Sequence, residues 1–156
     1  MGHGMTLLVT LLIGIVAGSR TMTAPAVVAW GAWLGWIDLG PTWAAFLGSG
    51  WAVLILSVIA LGELVADQLP GTPSRKVPQQ FGARLISGGF SGAALGALAG
   101  NWPVGLVLGV AGAVAGTLGG AALRGRMAAA FGSDRPAALT EDALAIGLGL
   151  FAVALA

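Results

Sequence analysis

Along the chain, long apolar stretches alternate with short polar punctuation. Four stretches, roughly 48–69, 81–100, 103–123 and 137–156, each hold close to the number of residues a membrane helix needs. A bilayer core of ~30 Å takes ~20 helical residues at ~1.5 Å each. The stretch 5–37 is too long for one straight span and is interrupted at Gly18-Ser19-Arg20-Thr21-Met22-Thr23-Ala24-Pro25. Proline suits the first turn of a helix, and the residue before it disfavours helical geometry. The pattern therefore predicts one helix from about 4 to 19 and another from about 24 to 37. Both are short, so one span, two tilted spans and a re-entrant hairpin all remain open for this region. The expected fold is an all-α polytopic membrane bundle of five or six elements. It forms a single transmembrane domain over 1–156, with its first helical region broken around Arg20–Pro25.

Composition strengthens the membrane reading. The chain is 57% hydrophobic and 8% charged, with a mean hydropathy of +0.93. A soluble domain carries about 25% charged residues. Seven basic and six acidic side chains could not clothe a water-soluble surface of this size. An ordinary soluble domain, a disordered chain and a nucleic-acid binder are thereby excluded. Without cysteine there is no disulfide, iron–sulfur cluster or thiolate metal site. The single histidine, His3, stands beside the first residue, which removes histidine-based metal sites and Ser/His catalysis. No phosphate-binding loop, dinucleotide fingerprint or metal-ligand spacing is present. Neither an enzymatic activity nor a cofactor is expected. The apolar segment from Met5 to Gly18 lacks a basic region before it. Ala17-Gly18-Ser19-Arg20 is a poor cleavage site, so the segment is read as part of the mature chain.

Loop charges orient the bundle. Arg75 and Lys76 fall in the loop 68–80, and Arg124, Arg126 and Arg135 in the loop 124–136. Basic loops stay in the cytoplasm, so both loops are expected there. The 38–50 loop carries only Asp38, and Trp30, Trp33, Trp36, Trp43, Trp51 and Trp102 all cluster toward the opposite ends. Tryptophan favours the membrane–water interface, so the two signals agree. With six elements the halves 4–67 and 81–156 hold three each, which raises a 3+3 inverted repeat as one arrangement.

Glycine is spaced by four in several ladders: Gly14 and Gly18; Gly88, Gly92, Gly96 and Gly100; Gly105 and Gly109; Gly112, Gly116 and Gly120. That spacing lays small residues along one helix face, where another backbone can come close. The ladders are expected to pack helices together. They fit packing within one subunit or an interface between copies, and a homo-oligomer is one expected partner arrangement.

The remaining charges carry the functional question. A charge near the bilayer centre costs on the order of 3 kcal/mol, so it pairs or lines a polar cavity. Arg20, Glu63, Asp67, Arg84, Glu141 and Asp142 are the candidates for binding a substrate or ion. Glu63 and Asp67 are four apart, on one helix face, with Glu63 about 9 Å inside the helix end. Glu141 lies about 6 Å inside its own helix, and Asp142 complements that helix's dipole. Arg20 stands at the break among Ser19, Thr21 and Thr23, where a freed helix terminus can hold an anion or a carboxylate. Snorkelling and bundle-locking salt bridges account for the same residues without any transport.

Three motifs occur in order along nearly the whole chain: Ala17-Gly18-Ser19-Arg20-Thr21-Met22-Thr23-Ala24-Pro25, Glu63-Leu64-Val65-Ala66-Asp67-Gln68-Leu69-Pro70, and Arg135-Pro136 leading into Glu141-Asp142-Ala143-Leu144-Ala145. Together they resemble the bacterial DUF4126 family of membrane proteins. The resemblance implies a small multi-pass protein of the bacterial inner membrane and supplies no activity or catalytic residues. Two functions are expected from the residues themselves. The first is a small transporter or channel for a solute or ion, with Arg20, Glu63 and Glu141 at its site and Asp67, Arg84 and Asp142 closing it. The second is a non-catalytic scaffold or accessory subunit of a larger membrane complex, working through its glycine faces. Besides the bilayer, partners would be a second copy, a membrane-complex subunit, or a small solute or ion.

Overall fold

A computed structural model describes residues 2–71, 74 and 76–156. Among these the fold is all-α, without strands. The helices are α1 (His3–Ser19), α2 (Thr23–Trp33), α3 (Gly50–Ala66), α4 (Pro78–Ala97), α5 (Trp102–Phe131) and α6 (Asp134–Leu155). A short 3-10 helix, Ala45–Gly48, precedes α3. Proline sits in the first turn of four of them: Pro25 in α2, Pro78 in α4, Pro103 in α5 and Pro136 in α6. There its missing N–H costs nothing. Ser49 caps α3, its hydroxyl accepting the Ala52 amide at 3.2 Å.

Several boundaries differ from the sequence expectation. The loop expected over 124–136 is almost wholly helical. α5 continues through Arg124 and Arg126 to Phe131, because Met127-Ala128-Ala129-Ala130 propagates a helix well. It stops at Gly132, whose φ of +68° is the left-handed conformation that ends helices. α2 ends at Trp33 rather than near 37. Gly35 turns the chain at φ +76°, and the Gly31 carbonyl accepts the Trp36 and Ile37 amides. The following segment is not a simple solvent loop. It folds back over that end of the bundle and buries Ile37, Leu39, Ala44 and Leu47. α4 starts at Pro78, three residues early, and ends at Ala97. Gly100 therefore lies in a turn, at φ +69°, and packs against no helix. Lys76 is exposed, whereas Arg75 lies outside the described residues.

α5 is the axis of the bundle. It packs along α4 on one side and along α1 on the other, while α6 closes against α1, α2 and α5. Glycine makes these approaches. A Cβ at Gly92 or Gly96 would fall within 3 Å of the α5 backbone at Gly105, and one at Gly109 would fall within 3 Å of the α4 backbone at Gly88. On the other side, a Cβ at Gly112 would strike Leu11 and Gly14, and one at Gly116 would strike Ile15. These ladder glycines are therefore occupied within one chain. Close van der Waals packing between small residues therefore joins these helices. The halves do not repeat one another in packing. α4 and α5 run together over most of their length, whereas α1 and α2 meet mainly at their junction.

α5 and α6 are each long and apolar enough to cross a membrane, and α1 and α3 are shorter apolar helices. Large apolar side chains cover the outside, with Ile86 and Trp51 each 75% exposed. All six tryptophans are exposed, at or near the C-terminus of α2, the N-terminus of α3, the segment between them and the N-terminus of α5.

The close backbone approach makes a stability prediction. Gly109→Ala should lower the thermal midpoint in detergent sharply, since overpacking costs about 1–3 kcal/mol even without a backbone clash. Gly62→Ala, whose Cβ meets nothing within 4 Å, should leave it unchanged or slightly raised. Equal midpoints for the two variants would contradict the packing described.

Candidate functional site

The break between α1 and α2 exposes two sets of backbone groups. A helix leaves its last carbonyls and first amides without intrahelical partners. In apolar surroundings each must be satisfied by something else. At Arg20 the backbone turns extended, with φ −139° and ψ 109°, so α1 cannot run on into α2.

Each loose end receives a side chain of the matching sign. Arg84, buried on α4, donates from Nη1 to the carbonyls of Gly18 at 2.7 Å and Ser19 at 2.9 Å. Glu63, on α3, accepts the Thr21 amide on Oε1 and the Met22 amide on Oε2, both at 2.7 Å. A cation at a helix C-terminus and an anion at an N-terminus both complement the helix dipole. Two hydroxyls complete the junction. Ser87 donates to the Thr21 carbonyl, and Thr117 bridges the carbonyls of Ala113 at 2.7 Å and Gly18 at 3.3 Å.

Arg20 itself turns inward and is fully buried. Its Nη1 donates to Asp67 and its Nε to Asp142 Oδ1 at 2.5 Å, while Nη2 pairs with Asp142 and lies 3.6 Å from Glu141 Oε2. Asp67 comes from the end of α3, and Glu141 and Asp142 come from α6. Gln68 donates to the other Asp142 oxygen at 3.4 Å. On the outer side, Arg124 grips Asp134 with two bonds of 3.0 and 2.7 Å and reaches Glu141 Oε2 at 3.5 Å. Among the described residues, no group of His, Asp and Glu side chains is arranged to hold a metal ion. The carboxylates turn instead toward guanidinium and amide donors.

All six expected site residues thus gather at one end of the bundle, but in a different pairing. Arg20 meets Asp67, Glu141 and Asp142, whereas Glu63 and Arg84 serve the backbone beside it. Ser87, Thr117, Gln68, Arg124 and Asp134 are additional members. Ser87 stands one turn after Arg84 on the same helix face, a spacing that signals a shared environment. Arg124 and Asp134 read as loop charges because Arg124-Gly125-Arg126 looks like a helix stop. The chain matches no family model, no curated protein and no solved structure.

The junction can be tested directly. Glu63→Ala should speed hydrogen exchange at the Thr21 and Met22 amides and cost about 1–3 kcal/mol, the range for unsatisfied buried donors. Glu63→Gln, which keeps one acceptor, should fall between. Unchanged exchange at both amides would show that Glu63 does not hold the junction.

Proposed function

We propose that the chain is a polytopic inner-membrane protein of six membrane elements, of the DUF4126 kind, that moves protons or a small proton-coupled solute or ion. Its site is the charged cluster at the cytoplasmic end. The observation that carries this reading is one buried guanidinium facing three carboxylates. A bundle-locking salt bridge needs a single counter-charge on Arg20; here Asp67, Glu141 and Asp142 all converge on it. Arg124 shares Glu141, and carboxylates gathered at one guanidinium are what a proton or cation would neutralise. Glu141 and Asp142 are the carboxylates we assign to the moving species, because both Glu63 oxygens already accept backbone amides.

The topology reading draws on the same arrangement. The cluster collects the ends of α1, α3 and α5 and the beginnings of α2, α4 and α6, as six alternating elements would. Exposed Lys76, Arg126 and Arg135 belong to this end, and the tryptophans to the other. Basic residues inside and tryptophans at the opposite interface fit a cytoplasmic cluster. With 11 residues, about 16 Å, α2 is a half-span, which supports a broken element rather than six full crossings.

The scaffold reading is favoured by one observation: both Glu63 oxygens and the Arg84 Nη1 serve the broken backbone. It would need a surface other than Gly88, Gly92, Gly96, Gly105, Gly109, Gly112 and Gly116, whose faces are occupied inside the chain. Proteoliposomes loaded with a pH-sensitive dye separate the two readings. Under an inward proton gradient, with potassium and valinomycin carrying countercharge, proton entry should exceed that of protein-free liposomes several-fold. Asp142→Asn, reconstituted as a monodisperse protein, should slow it at least tenfold. Wild-type entry no faster than in protein-free liposomes would overturn the transport reading and leave the scaffold.

A further inference from the structure

The cluster also touches an apolar groove. Between α1, α5 and α6 a half-open cavity of about 390 Å³ is walled by residues such as Ile15, Leu123, Leu144 and Leu148. Gly116, Gly119 and Gly120 line its α5 side, and a Cβ at Gly119 would meet nothing within 4 Å. Its volume falls within the range of small-molecule sites. Among the described residues, Glu141 is the one charged side chain in this lining, and it is nine-tenths or more buried. Arg20 and Arg124 approach the same carboxylate from outside the groove, at 3.6 and 3.5 Å. Asp134 holds Arg124 and Asp142 holds Arg20 more closely than Glu141 does.

We propose that this groove binds an amphiphilic organic cation, with its ammonium head at Glu141 and its hydrocarbon body along α6 toward Leu148. The inference rests on the transport reading, for which it names the substrate class. The chemistry follows from the lining. Apolar walls take a hydrocarbon body out of water or lipid headgroups. A buried carboxylate in a low-dielectric wall rewards a positive head and rejects a negative one. From Glu141 to Leu148 is seven residues of helix, about 10 Å, the reach of a medium-length alkyl chain. Occupancy by a cation would also compete with the Arg20 and Arg124 guanidiniums for Glu141, which links the groove to the Arg20 cluster.

Direct binding tests this without any flux measurement. Octyltrimethylammonium and octyl sulfate carry similar tails and opposite heads. Each would be titrated separately, as radiolabelled probe, onto the purified full chain in nanodiscs. Saturable binding of the cation, with the anion at least tenfold weaker, is expected. Glu141→Gln should weaken the cation at least tenfold and leave the anion unchanged. Gly119→Leu fills the groove at a position where a Cβ meets nothing within 4 Å, so the fold tolerates its backbone position. It should weaken the cation comparably. Equal binding of the two probes, or cation binding that neither variant alters, would overturn the proposal. Cation binding that behaves as expected in a protein without proton flux would retain the groove and remove the transport reading. Proton flux without selective cation binding would do the reverse.

Discussion

A chain that breaks a helix in apolar surroundings must find partners for the backbone groups it frees, and the rest of this structure is arranged around that need. The break at residues 20–22 leaves α1 carbonyls and α2 amides facing the bundle interior. Arg84 supplies the donor and Glu63 the acceptor, each matched in sign to the dipole end it meets. Because these two side chains stand on α3 and α4, the junction fixes the depth of both helices relative to α1 and α2. Thr117 adds α5 through its bond to the Gly18 carbonyl. An unmet amide or carbonyl in hydrocarbon costs several kcal/mol, so the register of the helices follows from a few hydrogen bonds.

Glycine packing and charge then act at different levels of the same bundle. Toward the tryptophan-rich end, α4 and α5 approach through Gly92, Gly96 and Gly105. Toward the other end the helices give way to charged side chains, with Arg20 at the centre. The same residue that interrupts the helix therefore supplies the cation around which Asp67, Glu141 and Asp142 collect. Breaking the helix and building the charged site are one structural event. The groove beside α6 ends at one of those carboxylates, so an apolar surface and an ionic cluster meet at Glu141.

Much of this was legible in the chain because it depends on spacing. Glycines four apart lie on one helix face wherever that helix packs, and Glu63 and Asp67 face the same way for the same reason. The proline at position 25 marked the break. What spacing does not carry is register between helices. Glu63 and Asp67 share a face, and only tertiary packing decides that the first takes the amides and the second takes Arg20. The ladder overran at Gly100, where spacing continues but the helix does not, since the last glycine of a series also suits a turn. Arg124 was misplaced because Gly125 between two arginines resembles a helix stop, whereas the alanines that follow carry α5 onward. Asp134, expected in a loop, opens α6 and holds Arg124.

Arg20 and its carboxylates form one electrostatic unit that the bundle is built around. Thermal midpoints in detergent for Arg20→Met and for Arg20→Met combined with Asp67→Asn and Asp142→Asn test it most directly. Removing one side of a buried ion pair costs about 3–5 kcal/mol, because the other side stays charged and unpaired. The single variant should therefore be strongly destabilised. The triple variant, with the two closest carboxylates neutralised, should recover most of the loss. A triple variant less stable than the single one would show that the carboxylates stabilise the fold independently of Arg20 and would contradict the account.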